Sequence, residues 1–324
     1  MMQKEIDVTA LGELLIDFTE NGVSSQGNAL LEANPGGVPC NVLAMLGKLG
    51  KKTAFIGKVG NDQFGNMLRN TIESVGIDAE GLVIDDKVHT TLAFVHTYPD
   101  GDRDFSFYRN PGADMMLRKE EVSLEKICAS KIFHFGTLSF THAGIRTASQ
   151  YAIQCAKEAG ALISFDPNLR EPLWENLEDA RKAIEYGMEC CDILKISDNE
   201  LTFMTGEKDY DKGAVLLQQK YQIPLVCVTL GKDGSRAYYK GLTIKAEPFL
   251  QKNTIETTGA GDTFTGCMLN TVLDKGLDNL TGEDIRGMLR FANAGAALIT
   301  TKRGALRVMP EKEEIEALLE EQTE

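Results

Sequence analysis

Positive charge is in deficit along this chain. Its 324 residues carry 34 Lys and Arg against 48 Asp and Glu, a formal net charge of −14. That balance argues against a nucleic-acid partner or an anionic membrane surface, and leaves room for an anionic substrate only where basic residues gather locally. Long apolar runs are also lacking: no stretch approaches the roughly 18 apolar residues of a membrane span. The first residues, Met1-Met2-Gln3-Lys4-Glu5-Ile6-Asp7, lack an apolar signal core. The expected location is cytoplasmic. The seven cysteines (Cys40, Cys128, Cys155, Cys190, Cys191, Cys227, Cys267) are scattered and form no C-x-x-C. They are expected to pack as small apolar groups, the adjacent Cys190 and Cys191 included.

Other absences narrow the chemistry. No G-x-x-x-x-G-K-[ST] occurs, which removes a Walker phosphate loop. Gly36-Gly37 and the Gly57 to Gly60 stretch make no convincing G-x-G-x-x-G, which disfavours a nicotinamide dehydrogenase. A G-x-S-x-G elbow, which a Ser-His-Asp hydrolase would want, is missing too. His89, His96, His134 and His142 are the only histidines and do not sit at metal-ligand spacing with cysteines.

What is present is an alternation of strands and helices in an ordinary globular composition, 43% hydrophobic and 25% charged. Strands are expected at Ile6 to Leu11, Thr53 to Val59, Ile132 to Phe135, Leu162 to Asp166, Ile193 to Ile196 and Leu225 to Thr229. Helical spacing runs from Val38 to Leu49, with Pro39 in the first turn, and again after Asp62 through Phe64, Leu68, Ile72 and Val75. This rhythm predicts an α/β doubly wound, mainly parallel sheet with helices on both faces. The texture changes between Thr90 and Leu117, where two β-rich runs flank Pro99-Asp100-Gly101-Asp102, a hairpin signal. The economical partner is the 14–33 region. The chain is therefore expected to form one core over residues 1–324, with a small β-sheet lid from about 14–33 and 90–112. The acidic tail from Pro310 to Glu324 reads as an amphipathic helix carrying Ile315, Leu318 and Leu319.

In doubly wound sheets ligands bind beyond the carboxyl ends of the strands. Asp166-Pro167-Asn168-Leu169-Arg170 follows one strand; Lys195, Ser197 and Glu200 follow another, and Thr229-Leu230-Gly231-Lys232-Asp233-Gly234 a third. Thr257-Thr258-Gly259-Ala260-Gly261-Asp262 then opens a helix. Helix-start amides favour an anion, and a carboxylate there can take a proton from a hydroxyl, although the same turn could be a plain cap. Asp17, interrupting an apolar run, is either a strand-end carboxylate or a grip on sugar hydroxyls. Asn41 is either a helix-start hydrogen bonder or a substrate contact.

Two of these stretches together resemble one family over nearly the whole chain. Gly36-Gly37-Val38-Pro39-Cys40-Asn41 is similar to the N-terminal signature of the ribokinase-like (pfkB) carbohydrate kinases, and Thr257 to Asp262 with Phe264 and Gly266 to their C-terminal signature. Within the family, Phe107 to Met115, Asn168 to Trp174 and Lys195 to Leu201 look most like fructokinase segments.

The resemblance implies Asp262 as the catalytic base and the amides of Gly259, Ala260 and Gly261 as an anion hole. It implies sugar contacts at Asp17, Gly36, Gly37 and Asn41, with Arg109 closing from the lid and Arg170 on the phosphate or sugar side. Lys195, Thr229, Gly231, Gly234 and Asn293 fall on the ATP side. Glu200 would organise Mg²⁺ through water, while Glu256, Thr258 and Gly304 match a loop for a monovalent cation such as K⁺. Two positions depart from the family pattern: Ser197 stands where Asn is usual, and Glu256 where many relatives carry Asp. The implied function is ATP-dependent phosphorylation of fructose at its 6-hydroxyl. The alternatives are another sugar, such as 2-keto-3-deoxygluconate or ribose, and a sugar-sensing pseudokinase. Relatives of this kind commonly pair through their lids, so a homodimer is expected.

Overall fold

A computed structural model describes residues 4–97 and 103–321. The first third runs β1 (Ile6–Leu11), β2 (Leu15–Val23), β3 (Ala29–Gly36), α1 (Val38–Lys48), β4 (Thr53–Gly60), α2 (Gln63–Ser74), β5 (Ile77–Asp85), β6 (Leu92–Thr97) and β7 (Arg103–Tyr108). The middle follows as α3 (Leu124–Cys128), β8 (Ser130–Gly136), α4 (Ala143–Glu158), β9 (Leu162–Asp166), α5 (Leu177–Cys190), β10 (Ile193–Ser197), α6 (Asp198–Thr205) and α7 (Tyr210–Tyr221). The last part is β11 (Leu225–Thr229), β12 (Ser235–Tyr239), β13 (Leu242–Ala246), α8 (Ala260–Lys275), α9 (Gly282–Ile299) and α10 (Lys312–Glu321).

Among the described residues the strands form two sheets. The larger has nine, in the order β13-β12-β11-β10-β9-β8-β1-β4-β5. All its neighbours are parallel except β11–β12 and β12–β13, which are antiparallel. The fold is ribokinase-like, as expected. The edge hairpin β12–β13 was not anticipated: burial does not alternate along β12, and its turn, Lys240-Gly241, is a weaker signal than the strand runs before it. The smaller sheet has the order β3-β2-β6-β7 and aligns Asp17 with Asn34 on one side and Ala93 on the other. The expected turn Pro99-Asp100-Gly101-Asp102 lies outside the described residues. No helix among them is long and apolar enough to cross a membrane.

Successive side chains on a strand point to opposite faces, and here each face feeds a different core. Ile163, Phe165, Leu194, Ile196, Val226 and Val228 pack against α4, α5 and α7. Ile132, Ile193, Leu225 and Cys227 face the other way, towards α1, α8 and α9. Along that second face the strands end in polar groups, His134, Ser164, Asp166 and Lys195, all buried. His134 behaves as a core residue: its Nδ1 lies 3.0 Å from Ser164 Oγ. Burial, helped by the Lys195 charge, pushes its pKa down to about 3, so the ring is neutral.

Helix starts are fixed by local chemistry. Asp62 caps α2 by accepting the Gly65 N–H at 2.8 Å and also receives the Thr90 N–H at 2.8 Å, tying the entry of β6 to the main body. Ser197 and Glu200 form a capping box on α6. The α1–α8 contact depends on one glycine: a Cβ at Gly266 would come within 2.7 Å of Met45 Cβ and 3.1 Å of the Val42 carbonyl. That approach brings Asn41 of α1 to Asp262 of α8.

Gly266→Ala is therefore expected to force α1 from α8 and to cost about 1–3 kcal/mol, the usual range for overpacking a close contact. Thermal denaturation should register a lower Tm, and an unchanged Tm would remove Gly266 as the determinant of the helix spacing.

Candidate active site

The start of α8 stands between two cavities. Gly259, at φ 78°, turns the chain into the helix, and no side chain caps it. The Ala260 N–H bends back to the Thr257 carbonyl at 3.2 Å. On one side a cavity of about 360 Å³ is lined by Asp17, Asn34, Gly36, Gly37, Asn41, Asn168, Arg170, Glu256, Thr258, Gly259, Asp262 and Gly304. On the other a cavity of about 500 Å³ is lined by Lys195, Ser197, Thr229, Gly231, Gly234, Phe249, Asn293 and Ala296. Both sizes suit small-molecule ligands. Thr257 and Gly261 line both cavities, so the wall between them is the first turn of α8.

The first cavity is polar and acidic. Asp262 is buried, and its Oδ2 accepts the Asn41 Nδ2–H at 2.8 Å. Burial raises its pKa; the Asn41 bond and the charges of Lys195 and Arg170 oppose that rise. A carboxylate held in this way is a competent base nearer neutrality than a free one. Asp17 keeps some contact with solvent while protein crowds its carboxyl. Burial pushes it up to about 7, with Arg170 pulling down and Glu256 and Asp262 pushing further up. Asn41 Oδ1 and Asn168 Oδ1 are buried without a hydrogen-bond partner among the described residues. Two orphaned acceptors in a cavity wall fit a ligand that brings hydroxyl donors.

Beneath the partition lies Lys195. Its Nζ is 3.0 Å from Asp166 Oδ2 and 3.1 Å from the place a Cβ on Gly261 would occupy. Burial opposes the charge, but Asp166 and Glu200 outweigh it and raise the lysine pKa. An ammonium kept charged under the helix start adds to the attraction for an anion there. Glu200 sits at the next strand end. Its Oε2 accepts the Ser197 N–H at 2.9 Å and the hydroxyl at 2.8 Å, while Oε1 accepts the Leu169 N–H at 2.7 Å, which joins the ends of β9 and β10.

Most residues singled out in the sequence converge on the two cavities, and two of them have partners that the sequence did not reveal. Arg109 does not line the first cavity. Its guanidinium is buried against Asp114 (Nη2–Oδ2 2.6 Å), the Thr141 hydroxyl (2.8 Å) and the Leu138 carbonyl (3.1 Å), because a buried cation is stable only when paired. Phe107, two residues earlier, borders the cavity instead. Asn293 lines the second cavity, but its Nδ2 donates to the Ala246 and Glu247 carbonyls at 3.3 and 2.9 Å. Glu256, Thr258 and Gly304 meet at the first cavity, where Glu256 Oε1 accepts the Gly304 N–H at 2.7 Å. Glu13 was missed as a site residue, and Asn168 and Thr257 stood within stretches singled out in the sequence but were given no role of their own. Glu13 was visible only as one acid inside an apolar run.

Fold and site together define an enzyme of the ribokinase-like class, with two cavities that meet at the start of a helix. The chain belongs to the pfkB family of carbohydrate kinases, whose model matches residues 5–312. It is 42% identical over 318 residues to fructokinase-2 of Solanum lycopersicum, an alignment covering 96% of this chain and 95% of that one. The crystal structure of fructokinase with bound ATP from Xylella fastidiosa superposes with a TM-score of 0.89 at 30% identity, covering 99% of this chain and 100% of that one. A double mutant of Vibrio cholerae fructokinase, solved in a fructose, ADP and potassium ion bound form, gives 0.87 at 29% identity, covering 98% and 100%.

Because the Asn41 N–H favours ionised Asp262, Asn41→Ala should raise the Asp262 pKa further. With Asp262 as the base, activity should be lost as pH falls through that pKa, and the acid limb of the pH–rate profile should move to higher pH in the variant. A superimposable profile would show that Asn41 does not set the state of Asp262.

Proposed function

We propose that this protein is an ATP-dependent fructokinase, transferring the γ-phosphoryl group of ATP to the 6-hydroxyl of fructose to give fructose 6-phosphate and ADP. The observation that carries the reading is the pair of cavities divided by the first turn of α8, with Asp262 on one side and Lys195 beneath. The relatives named fructokinase support the choice of sugar.

In this reading the sugar occupies the cavity of Asp17, Gly36, Gly37, Asn41 and Arg170. A sugar presents hydroxyls that both donate and accept, and the carboxylate of Asp17 with the amides of Asn41 and Asn168 supplies acceptors and a donor in fixed directions. Asp262 takes the proton from the attacking hydroxyl as the oxygen bonds to phosphorus and ADP leaves. The amides of Gly259 and Gly261, joined by that of Ala260 once it turns from the Thr257 carbonyl and reinforced by the Lys195 ammonium, stabilise charge on the transferring group. ATP lies in the second cavity, against Thr229, Gly231 and Gly234, with Asn293 holding the backbone beside the base. The small sheet, whose Asp17, Asn34 and Phe107 border the sugar cavity, acts as a lid that keeps water from the phosphoryl donor.

Mg²⁺ supplies charge neutralisation on the ATP phosphates when bound. Among the described residues no three His, Cys, Asp or Glu side chains converge on a metal site, which suits an ion carried mainly by the nucleotide. Glu200 is the residue that would orient its waters; it accepts three hydrogen bonds, and a carboxylate has about four acceptor positions. For K⁺, the expected holders remain Glu256, Thr258 and Gly304, with one Glu256 oxygen already engaged. We read the protein as cytoplasmic and as a homodimer through its lid, in which the exposed Val23, Leu30 and Leu31 of β2 and β3 are covered.

Asp262→Asn should bind sugar and ATP but lose turnover by about 10²–10⁴-fold, the usual worth of a general base. Near-parental turnover would remove the base assignment. A coupled ADP-release assay over a panel of sugars checks the substrate: fructose is expected to lead, and its failure beside an active ribose or 2-keto-3-deoxygluconate would overturn the sugar.

A further inference from the structure

The roots of all four strands of the small sheet gather at one buried cluster under the sugar cavity. Glu13 precedes β2, Val38 follows β3, Thr91 precedes β6 and Arg109 follows β7. Arg109 pairs with Asp114, and the Thr91 hydroxyl donates to the other oxygen of the same carboxylate. Thr91 also gives its carbonyl to the Ile16 N–H at 3.2 Å, just after β2 begins. The small sheet thus enters and leaves the body through two bonded sets, Glu13 with Val38 and Arg109 with Asp114, Thr91 and Ile16, which act on each other through charge.

Glu13 is the member of this cluster that reaches the cavity. It is 5% exposed, lines the cavity wall and accepts the Val38 N–H on Oε1 at 2.8 Å. Its backbone carbonyl presses on Gly37, which has φ 129° and where a Cβ would come within 2.5 Å of that oxygen. Glu13 therefore holds the Gly37-Val38 peptide with its main chain on one side and its carboxylate on the other. Burial pushes its carboxyl up to about 7; the N–H bonds from Val38 and from its own residue and the charge of Arg109 oppose this, while Asp114 adds to it. The thiol of Cys40, also buried, feels the Glu13 charge from α1.

Gly36, Gly37 and Asn41 are the sugar-side residues of the signature, and the Val38 N–H that Glu13 takes lies between them. A shift of that peptide would move the loop and the first turn of α1 together, and with it the Asn41 amide that bonds Asp262. We propose that Glu13 is a positioning residue for sugar phosphorylation, fixing the Gly36-Gly37 loop and coupling it, beside the Arg109–Asp114 pair, to the roots of the lid.

The inference rests on the fructokinase reading only for the choice of sugar. Two variants separate the hydrogen bond from the charge. Glu13→Asp keeps the charge but is too short to reach the Val38 N–H; Glu13→Gln keeps the acceptor and removes the charge. Steady-state kinetics for each substrate, sugar binding by calorimetry without ATP, and thermal denaturation are measured for both. Glu13→Asp should raise the sugar KM and weaken sugar binding about tenfold, the scale of a lost hydrogen bond to a charged buried group. Its ATP KM and Tm should stay near the parent's, and Glu13→Gln should retain most of the sugar affinity. An unchanged sugar KM in Glu13→Asp would overturn the proposal, as would a rise in both KM values together with a fall in Tm, or a Gln variant that binds sugar worse than the Asp variant. If the parent phosphorylates another sugar and not fructose, the substrate reading fails, and the same comparison made with that sugar still decides the role of Glu13.

Discussion

A carboxylate buried at the start of a helix, with no cation in direct contact among the described residues, is the constraint around which this structure is arranged. Asp262 could have been neutralised by pairing, but an ion-paired carboxylate is a weak base, and an unsupported buried one loses its charge altogether. The structure takes a middle course: one neutral amide donor at 2.8 Å, and two cations, Lys195 and Arg170, near enough to be felt. Each support comes from a different element. Asn41 arrives on α1, Lys195 on β10 and Arg170 from the loop after β9, so the state of one side chain depends on the relative placement of two helices and the central sheet.

That dependence explains the distribution of small residues. Gly266 lets α1 and α8 approach, and Gly261 leaves room for the ammonium of Lys195 below the helix start. His134, Ser164, Asp166 and Lys195 on one face of the sheet supply the floor, and the phenylalanines at 133, 135 and 165 on the other face supply rigidity. Phe135 stacks on Phe165 with ring centroids 4.8 Å apart, directly behind the strand ends that present Asp166 and Lys195.

Much of this could be read from the residues. The parallel strands were legible because strands buried on both faces are short unbroken apolar runs, as in Leu225 to Thr229. The small sheet could be inferred because β-rich runs at 91–98 and 104–108 had no place in the alternation. Asp17, Asn41 and Asp262 were suspected from position, and the resemblance gave them roles. The partners were harder to see. That Arg109 faces Leu138 and Thr141, or that Asn293 holds the end of β13, depends on contacts between segments far apart in sequence, which leave no periodicity. Glu13 was hidden for the same reason: its partner, the Val38 N–H, belongs to the backbone, and any residue but proline supplies one. Ser197 shows the opposite case, since its capping box with Glu200 keeps the local geometry whatever the usual Asn does elsewhere.

The two-residue repeat of the strands has a consequence for how such an enzyme can change. Ser164, Asp166 and Lys195 alternate with Ile163, Phe165, Leu194 and Ile196, so every floor residue is one position from a residue of the opposite core. Inserting or deleting a single residue in these strands would exchange the two sets, placing phenylalanine under the substrate and charge in the apolar layer. Sequence drift is therefore free to lengthen or shorten the chain only where that parity is not read: in the turns, along the small sheet, and at the helix ends beyond the cavities. New sugar preferences in this architecture should arise from those places, while the strands keep their length.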